Sequence, residues 1–267
     1  MINASIVIYK HSVGEIINLL ENLSKSSGIE KIFVIDNSPE MTPGFDDGPC
    51  IYIFNGENKG FGAGHNIALR KTIEEGVPYH IVVNPDISMD VDVPKKLMIF
   101  AEQHPDVGHI MPKILNSDGS IQYLCKLLPS PFDLIIRRFL PAFITVNKMK
   151  KYEMRECGYN KIMEVPYLSG CFMFLRTEAL QKSGLFDERF FMYPEDIDLT
   201  RRIHRFHKTI FYPEVSVIHE HTRSSYKNVK MFFIHLINLI RYFNKWGWIN
   251  DAERKSINKR ITQSLNL

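Results

Sequence analysis

Apolar and polar positions follow one another along this chain in two rhythms. Ile6-Val7-Ile8-Tyr9, Lys31-Ile32-Phe33-Val34-Ile35, Ile51-Tyr52-Ile53-Phe54 and His80-Ile81-Val82-Val83 are short, mostly apolar runs of the kind that form buried strands. Between the first two, Val13 to Leu23 sets Ile16, Ile17, Leu19, Leu20 and Leu23 at helical spacing, and a second helix is expected from about Gly64 to Glu75. Strand and helix alternating at such short intervals predict an α/β architecture with a mostly parallel, doubly wound sheet. Ligands of such sheets bind beyond the carboxyl ends of the strands. Asp36 and Asp86 fall at two of those ends and are expected to face one crevice.

Farther along, a helix is expected from about Val93 to His104, a strand at Gly108 to Met111 and a turn at Asn116-Ser117-Asp118-Gly119. Residues 126–165 read as irregular. Val165 to Leu175 is strand-rich, followed by a helix near Thr177 to Ser183 and strands at Thr209 to Tyr212 and Val215 to His219. From Asn228 onward the pattern is helical to the end. With no internal repeat and no low-complexity linker, the expected organisation is one domain over residues 1–227 and a helical C-terminal extension over 228–267.

The charge balance removes some classes of function. With 33 basic and 30 acidic residues the net charge is +3, too even for a general nucleic-acid binder. Cys50, Cys125, Cys157 and Cys171 never form a CxxC pair, so neither a zinc knuckle nor a redox dithiol is indicated. Together with the lack of a secretory signal pattern this points to a reducing, cytoplasmic setting. No apolar run approaches the roughly 20 residues that cross a bilayer.

The candidate chemistry gathers in Phe190-Phe191-Met192-Tyr193-Pro194-Glu195-Asp196-Ile197-Asp198-Leu199-Thr200-Arg201-Arg202. Three carboxylates follow an aromatic run and open a helix. Such a cluster can hold a general base at a cleft. It is equally what a helix start requires, with acids favoured by the dipole and arginines spaced to pair with them. Asp36-Asn37-Ser38-Pro39 likewise suits an Asx turn. The glycine-rich Asn58-Lys59-Gly60-Phe61-Gly62-Ala63-Gly64-His65-Asn66 lacks GxGxxG spacing, so its glycines either bring backbone N–H groups to an anion or let the helix pack closely.

Taken in order from residue 5 to about residue 225, these segments resemble family 2 inverting glycosyltransferases with the GT-A fold, in particular bacterial rhamnosyltransferase-like members. The resemblance rests on Val-Ile-Asp-Asn-Ser at 34–38, the glycine-rich segment, Asn84-Pro85-Asp86, Ser169-Gly170-Cys171-Phe172-Met173, Gly184-Leu185-Phe186-Asp187 and Glu195-Asp196-Ile197-Asp198-Leu199. It implies a nucleotide-sugar half over 1–115 and an acceptor half over 116–227. It further implies that Asp36 reads the nucleobase and that Asn58, Gly60 and Asn66 line the nucleotide site. Asn84-Pro85-Asp86 stands in the place of an Asp-x-Asp triplet, its Asp86 binding Mg²⁺ or Mn²⁺ against the donor diphosphate. Neutral imidazole can also bind a transition metal, so His219 is a further candidate at the metal or diphosphate, with His221 as its rival and plain packing as the alternative. Asp196 is the implied general base, Glu195 orients it or the acceptor, Asp198 pairs locally and Arg201 lies near the diphosphate.

The implied reaction is inverting transfer of a sugar, best taken as L-rhamnose from dTDP-β-L-rhamnose, to a hydroxyl of a glycan or polyprenyl-linked acceptor. Hexose and galactofuranose donors fit the same motifs. From other classes, a nucleotidyltransferase usually places a glycine-rich loop after the first strand, where Ile8-Tyr9-Lys10-His11-Ser12 stands, and a noncatalytic nucleotide-sugar-binding protein would not need Asp86 and Asp196. Leu127 to Leu140, with Arg137 and Arg138, and Met231 to Trp246, with Arg241 and Lys245, join apolar to basic side chains. They are candidate peripheral contacts with the cytoplasmic face of the inner membrane, against the alternatives of packing on the sheet or a homo-oligomer contact.

Overall fold

The computed structural model describes residues 1–45, 48–136, 140–220 and 229–265. Strand β1 (Ile2–Ile8) is covered on both faces. Ile2, Ala4, Ile6 and Ile8 pack with Ile16, Leu19, Leu20 and Leu23 of helix α1 (Val13–Lys25). Each of these isoleucine and leucine side chains contributes roughly 1.5–3 kcal/mol by leaving water. Helix α1 starts where Ser12 N–H donates to the Glu15 carboxylate at 2.7 Å. The opposite face of β1 is polar: Ser5 Oγ lies 2.7 Å from His65 Nδ1 and 2.8 Å from His80 Nε2. Burial pushes His80 down to about 3 and so keeps it neutral.

Strand β1 pairs in parallel with β2 (Ile29–Asp36) and β4 (Tyr79–Val83), and β2 with β3 (Ile51–Phe54). Helix α2 (Phe61–Glu74) lays Ala68 against Phe33 and Ile35. There follow β5 (Ile87–Ser88), α3 (Val93–Gln103), β6 (Val107–Leu115), β7 (Cys125–Lys126), α4 (Pro131–Leu134), α5 (Ala142–Tyr152), β8 (Met163–Glu164), β9 (Tyr167–Leu168), β10 (Phe172–Arg176), α6 (Thr177–Ser183), α7 (Glu195–Ile203), β11 (Lys208–His219), α8 (Val229–Trp246) and α9 (Ala252–Leu265). Among the described residues, nine strands form one sheet in the order β3-β2-β1-β4-β10-β6-β11-β5, with β8 beside β11. The doubly wound α/β sheet expected from the sequence is present. Strand β10 enters it antiparallel between β4 and β6, while β6 and β11 run parallel.

Three expectations change in detail. The span 126–165 is not all irregular: it holds α5, whose Tyr152 is buried in the main core with Met149 packed against it. The two strands expected at 209–212 and 215–219 are one strand, β11, whose register shifts between Tyr212 and Ser216, around Pro213, which has no N–H to pair. The C-terminal helical run is broken at Gly247, φ +100°, into α8 and α9.

This C-terminal pair is joined to the rest of the fold. Tyr242 and Phe243 pack with Phe190 and Ile197, and Ile261 belongs to the main core. Asn258 Oδ1 accepts from Leu128 N–H and its Nδ2 donates to the Leu128 carbonyl, both at 2.9 Å.

Candidate active site

The centre of the site is the pairing of β4 with β10. Phe172 faces Val83 in antiparallel register, so the chain just before β10 meets the chain just after β4. Asn84 N–H donates to the Cys171 carbonyl at 2.9 Å. One residue earlier, Gly170 N–H donates to Asp196 Oδ2 at 3.0 Å. The Ser169-Gly170-Cys171 segment therefore links the Asn84-Pro85-Asp86 turn to the start of α7. The buried Cys171 thiol, pushed up to about 12 chiefly by burial and further by the charges of Asp86 and Asp196, is near both carboxylates.

Helix α7 begins behind Pro194, with Asp198 N–H donating to the Pro194 carbonyl at 3.0 Å. Its acids sit in the first turn, where the helix dipole favours them. Asp196 is partly exposed, and its Oδ2 also accepts from Tyr167 O–H at 3.2 Å. Desolvation raises the Asp196 carboxyl above its ordinary value, opposed by the Gly170 N–H, the Lys126 charge, the Ile197 N–H and Tyr167. Glu195 is buried and Oε2 has no hydrogen-bond partner. Burial, then the neighbouring Asp196 charge, pushes Glu195 well above the usual carboxylate range. Two adjacent carboxyls thus sit in different surroundings: Glu195 buried with an oxygen that has no hydrogen-bond partner, Asp196 partly exposed and held by N–H and O–H donors that favour its ionised form.

Asp86 and His219 come together. Strand β11 pairs with β5, and Glu220 N–H donates to the Asp86 carbonyl at 2.9 Å, which brings His219 Nε2 to 3.3 Å from Asp86 Oδ1. Asp86 Oδ1 is buried with no hydrogen-bond partner. A carboxylate oxygen and an imidazole nitrogen at this spacing fit two ligands of one divalent cation, with diphosphate oxygens and water left to complete it. No group of three protein ligands occurs among the described residues. His221 and the segment 222–225 lie outside the described residues.

The donor-side candidates divide. Asp36 is fully buried: Oδ1 accepts from Ser38 N–H at 2.8 Å, and Oδ2 from Thr42 N–H at 3.1 Å and Tyr52 O–H at 2.5 Å. Burial raises its carboxyl, but these hydrogen bonds outweigh that and hold it below the ordinary value. The Asx-turn reading of this segment is therefore real, and Asp36 shapes the loop at the end of β2. Asn58 Oδ1 accepts from Gly60 N–H at 3.0 Å. Gly60 has φ +86°, and a Cβ there would lie 2.1 Å from the Phe191 carbonyl oxygen, so the glycine-rich loop rests directly on the segment entering α7. Phe61 N–H donates to that same carbonyl at 3.0 Å, so protein already caps the first N–H of α2.

Two donor-side candidates are corrected. Asn66 is buried, and its amide is committed to the Phe186 carbonyl, the Glu188 carboxylate and the Phe186 N–H at 2.8–3.0 Å. It ties α2 to the 186–188 loop. Arg201 is 1% exposed, forks onto Asp251 at 2.6 and 2.7 Å, reaches Glu253 at 2.7 Å and stacks on Trp246 at 4.1 Å. Helix α7 turns its guanidinium towards the C-terminal helices, where these partners occupy it. The reading of Asp198 as a local partner agrees with its contacts to Arg202 and Lys245.

Sequence reasoning missed three side chains here: Gln122, Lys126 and Tyr167. Lys126 on β7 faces Tyr167 on β9 in antiparallel register, with its ammonium 5.2 Å from the Tyr167 ring. Gln122 Oε1 lies 3.0 Å from His219 Nδ1. Lys126 comes from the span read as irregular, Gln122 from just after the turn before it and Tyr167 from the strand-rich segment that follows, and no local pattern marks their roles.

No family model matches the chain. In sequence it is 28% identical over 185 residues to the N-acetylglucosaminyl-diphospho-decaprenol L-rhamnosyltransferase of Mycobacterium tuberculosis, covering 64% of this chain and 58% of that protein's length. It is 29% identical to the rhamnosyltransferase WbbL of Escherichia coli K12, covering 89% of this chain and 91% of that one. The low-salt glycan biosynthesis hexosyltransferase Agl10 of Haloferax volcanii is 27% identical, over 75% and 61% of the two chains. Among solved structures, GalNAc-T7 with UDP, GalNAc and Mn²⁺ superposes with a TM-score of 0.62 at 13% identity, over 100% of this chain and 54% of that one. The mannosyltransferase PcManGT of Pyrobaculum calidifontis, with GDP-Man and Mn²⁺, gives 0.59 at 12%, over 100% and 70%. S. aureus TarS 1-349 gives 0.58 at 14%, over 96% and 69%. The fold is thus that of the GT-A glycosyltransferases, and in sequence the chain is similar to two rhamnosyltransferases and a hexosyltransferase.

Proposed function

We propose that this chain is an inverting glycosyltransferase, moving L-rhamnose from dTDP-β-L-rhamnose to a hydroxyl of a glycan or lipid-linked acceptor in surface polysaccharide synthesis. The observation that carries the reading is the short link, through Gly170 and Cys171, between a base-competent Asp196 and the Asp86–His219 pair. Two relatives are named as rhamnosyltransferases, and the mycobacterial one is named for a diphospho-decaprenol acceptor. The hexosyltransferase relative keeps a hexose donor as the second reading.

In this scheme the acceptor hydroxyl gives its proton to Asp196 as its oxygen bonds to the anomeric carbon, and the bond from that carbon to the nucleoside diphosphate breaks on the opposite face. Gly170 N–H and Tyr167 O–H hold one Asp196 oxygen in place. Protonated Glu195 adds no second negative charge beside the base. Asp86 and His219 would hold Mn²⁺ or Mg²⁺, as two of the structural neighbours carry Mn²⁺. Such an ion offsets the charge of the departing diphosphate. Asp36, through the turn it orders, and Asn58 with Gly60, through the loop they shape, form the nucleotide side. The enzyme would work at the cytoplasmic face of a membrane, with the exposed apolar residues of α8 as its contact.

The test is incubation of the purified chain with dTDP-β-L-rhamnose, UDP-hexoses and UDP-galactofuranose, each with a polyprenyl-diphospho-sugar acceptor and Mn²⁺. Acceptor-dependent release of a nucleoside diphosphate with inverted product supports the reading. Release of pyrophosphate, or no turnover with any donor, overturns it.

A further inference from the structure

The turn after β6 returns the chain to the mouth of the site. Asn116 N–H donates to the Ser120 carbonyl at 2.8 Å and Gln122 N–H to the Ile114 carbonyl at 2.9 Å, which sets Gln122 beside the last residue of β11. Its amide orientation is fixed by its neighbours. Nε2 donates to the backbone carbonyl of His219 and to Asn116 Oδ1, each at 2.8 Å. Asn116 is oriented in turn, its Nδ2 donating to Ser120 Oγ at 2.8 Å. A backbone carbonyl only accepts, so the Gln122 NH₂ must face it and Oε1 must face His219 Nδ1, 3.0 Å away.

That arrangement dictates the state of the imidazole. Oε1 carries no proton, so its contact with Nδ1 is a hydrogen bond only when Nδ1 bears the hydrogen. In the neutral ring Nε2 then carries a lone pair, and Nε2 is the atom 3.3 Å from Asp86 Oδ1. Two such acceptors repel at this distance unless positive charge sits against both.

We propose that Gln122 is a positioning residue: clamped by Asn116 and the His219 carbonyl, it holds His219 as the Nδ1–H tautomer, so that Nε2 and the Asp86 carboxylate present two lone pairs to one divalent cation. The inference rests on the metal reading given above and adds to it the group that orients the imidazole ligand. Partners of this kind around metal-bound histidines are typically worth 10–100-fold in metal affinity.

The experiment uses the full chain, with Mn²⁺ and either dTDP or UDP as probes. Mn²⁺ binding is followed by electron paramagnetic resonance, and the histidine tautomer by long-range ¹H–¹⁵N correlation at about pH 8.5, two units above the ordinary histidine value. The His219 signals are identified by their loss in His219→Gln. Expected are an Nδ1–H tautomer in the wild type and a Mn²⁺ dissociation constant raised about tenfold or more in Gln122→Met. Gln122→Glu, whose carboxylate still accepts from Nδ1–H but sets its second oxygen against the His219 carbonyl and Asn116 Oδ1, should raise that constant by less than Gln122→Met does. An Nε2–H tautomer in the wild type, or unchanged Mn²⁺ affinity in folded Gln122→Met, overturns the role of Gln122 and leaves the metal reading standing. No Mn²⁺ uptake by the wild type with either nucleotide overturns both. Should Gln122→Met fail to fold, the wild-type tautomer decides.

Discussion

Gly170 packs directly on Asp196: its N–H donates to Oδ2 at 3.0 Å, and a Cβ on residue 170 would lie 3.1 Å from Asp196 Cβ. The same Cβ would stand 3.4 Å from the Phe61 ring. Gly170→Ala should therefore shift the carboxylate by a few tenths of an ångström and lower kcat about tenfold, with donor KM little changed. Steady-state kinetics at saturating acceptor check this, and an unchanged kcat would show that the base is held elsewhere.

Asp196→Asn should lower transfer by about 10²–10⁴-fold and leave donor affinity within a few fold. Glu195→Gln, which imitates a carboxyl already protonated, should stay within about threefold, because no base is lost. If the two variants exchange these phenotypes, Glu195 is the base.

Because desolvation raises the Asp196 carboxyl, the acid limb of kcat should lie above the ordinary aspartate value. The same shift has a stability consequence. With the folded value above the unfolded one, the contribution is fully present below the unfolded value and is lost as pH rises through the folded value. Ionised Asp196 is thus a burden on the fold at neutral pH, and Asp196→Asn should raise the Tm by on the order of 2 °C. A kcat–pH profile and thermal unfolding at pH 7 read the two effects separately; a lower Tm in the variant would contradict the second.

Arg201→Met should act on the fold and not on the donor. Removing the guanidinium takes two hydrogen bonds from Asp251, 3% exposed at its side chain, and leaves it the weaker 4.0 Å pair with Arg254, at a cost approaching the roughly 3–5 kcal/mol of a broken buried pair. Denaturant unfolding should show that loss, while nucleotide affinity of the folded fraction stays at the wild-type value.

The outer face of α8 exposes Phe232, Phe233, Ile237 and Ile240, whereas Lys245 lies 2.8 Å from Asp187 and 2.7 Å from Asp198, and Arg241 donates to the Arg189 carbonyl. Arg137 and Arg138 lie outside the described residues. Charge reversal at Lys245 would break the seating of α7, so the informative variant is Phe232→Ser with Phe233→Ser. It should lose binding to liposomes containing anionic lipid in a flotation assay with activity on a short soluble acceptor preserved. Equal, negligible binding by wild type and variant would count against a membrane contact, and a concentration-dependent mass would favour a second copy on this face.

Local pattern determined most of the elements and the order of the chemistry, though not α5, the continuity of β11 or the break at Gly247. Apolar runs such as His80–Val83 became strands because both faces are packed, and Glu195 opens a helix because Pro194 and acidic side chains suit its first turn. What pattern could not decide is which polar groups face one another, since that depends on contacts between residues distant in the chain. Asp196 is oriented by Gly170 and Tyr167, and His219 by Gln122, 97 positions away. Arg201 and Asn66 show the converse. Both carry side chains suited to a phosphate or a nucleotide, and both are consumed by the fold, because α7 turns Arg201 onto Asp251 and α2 turns Asn66 onto Phe186. Whether a polar side chain serves a ligand or the protein is settled by which partner reaches it first, and only the tertiary structure places the partner.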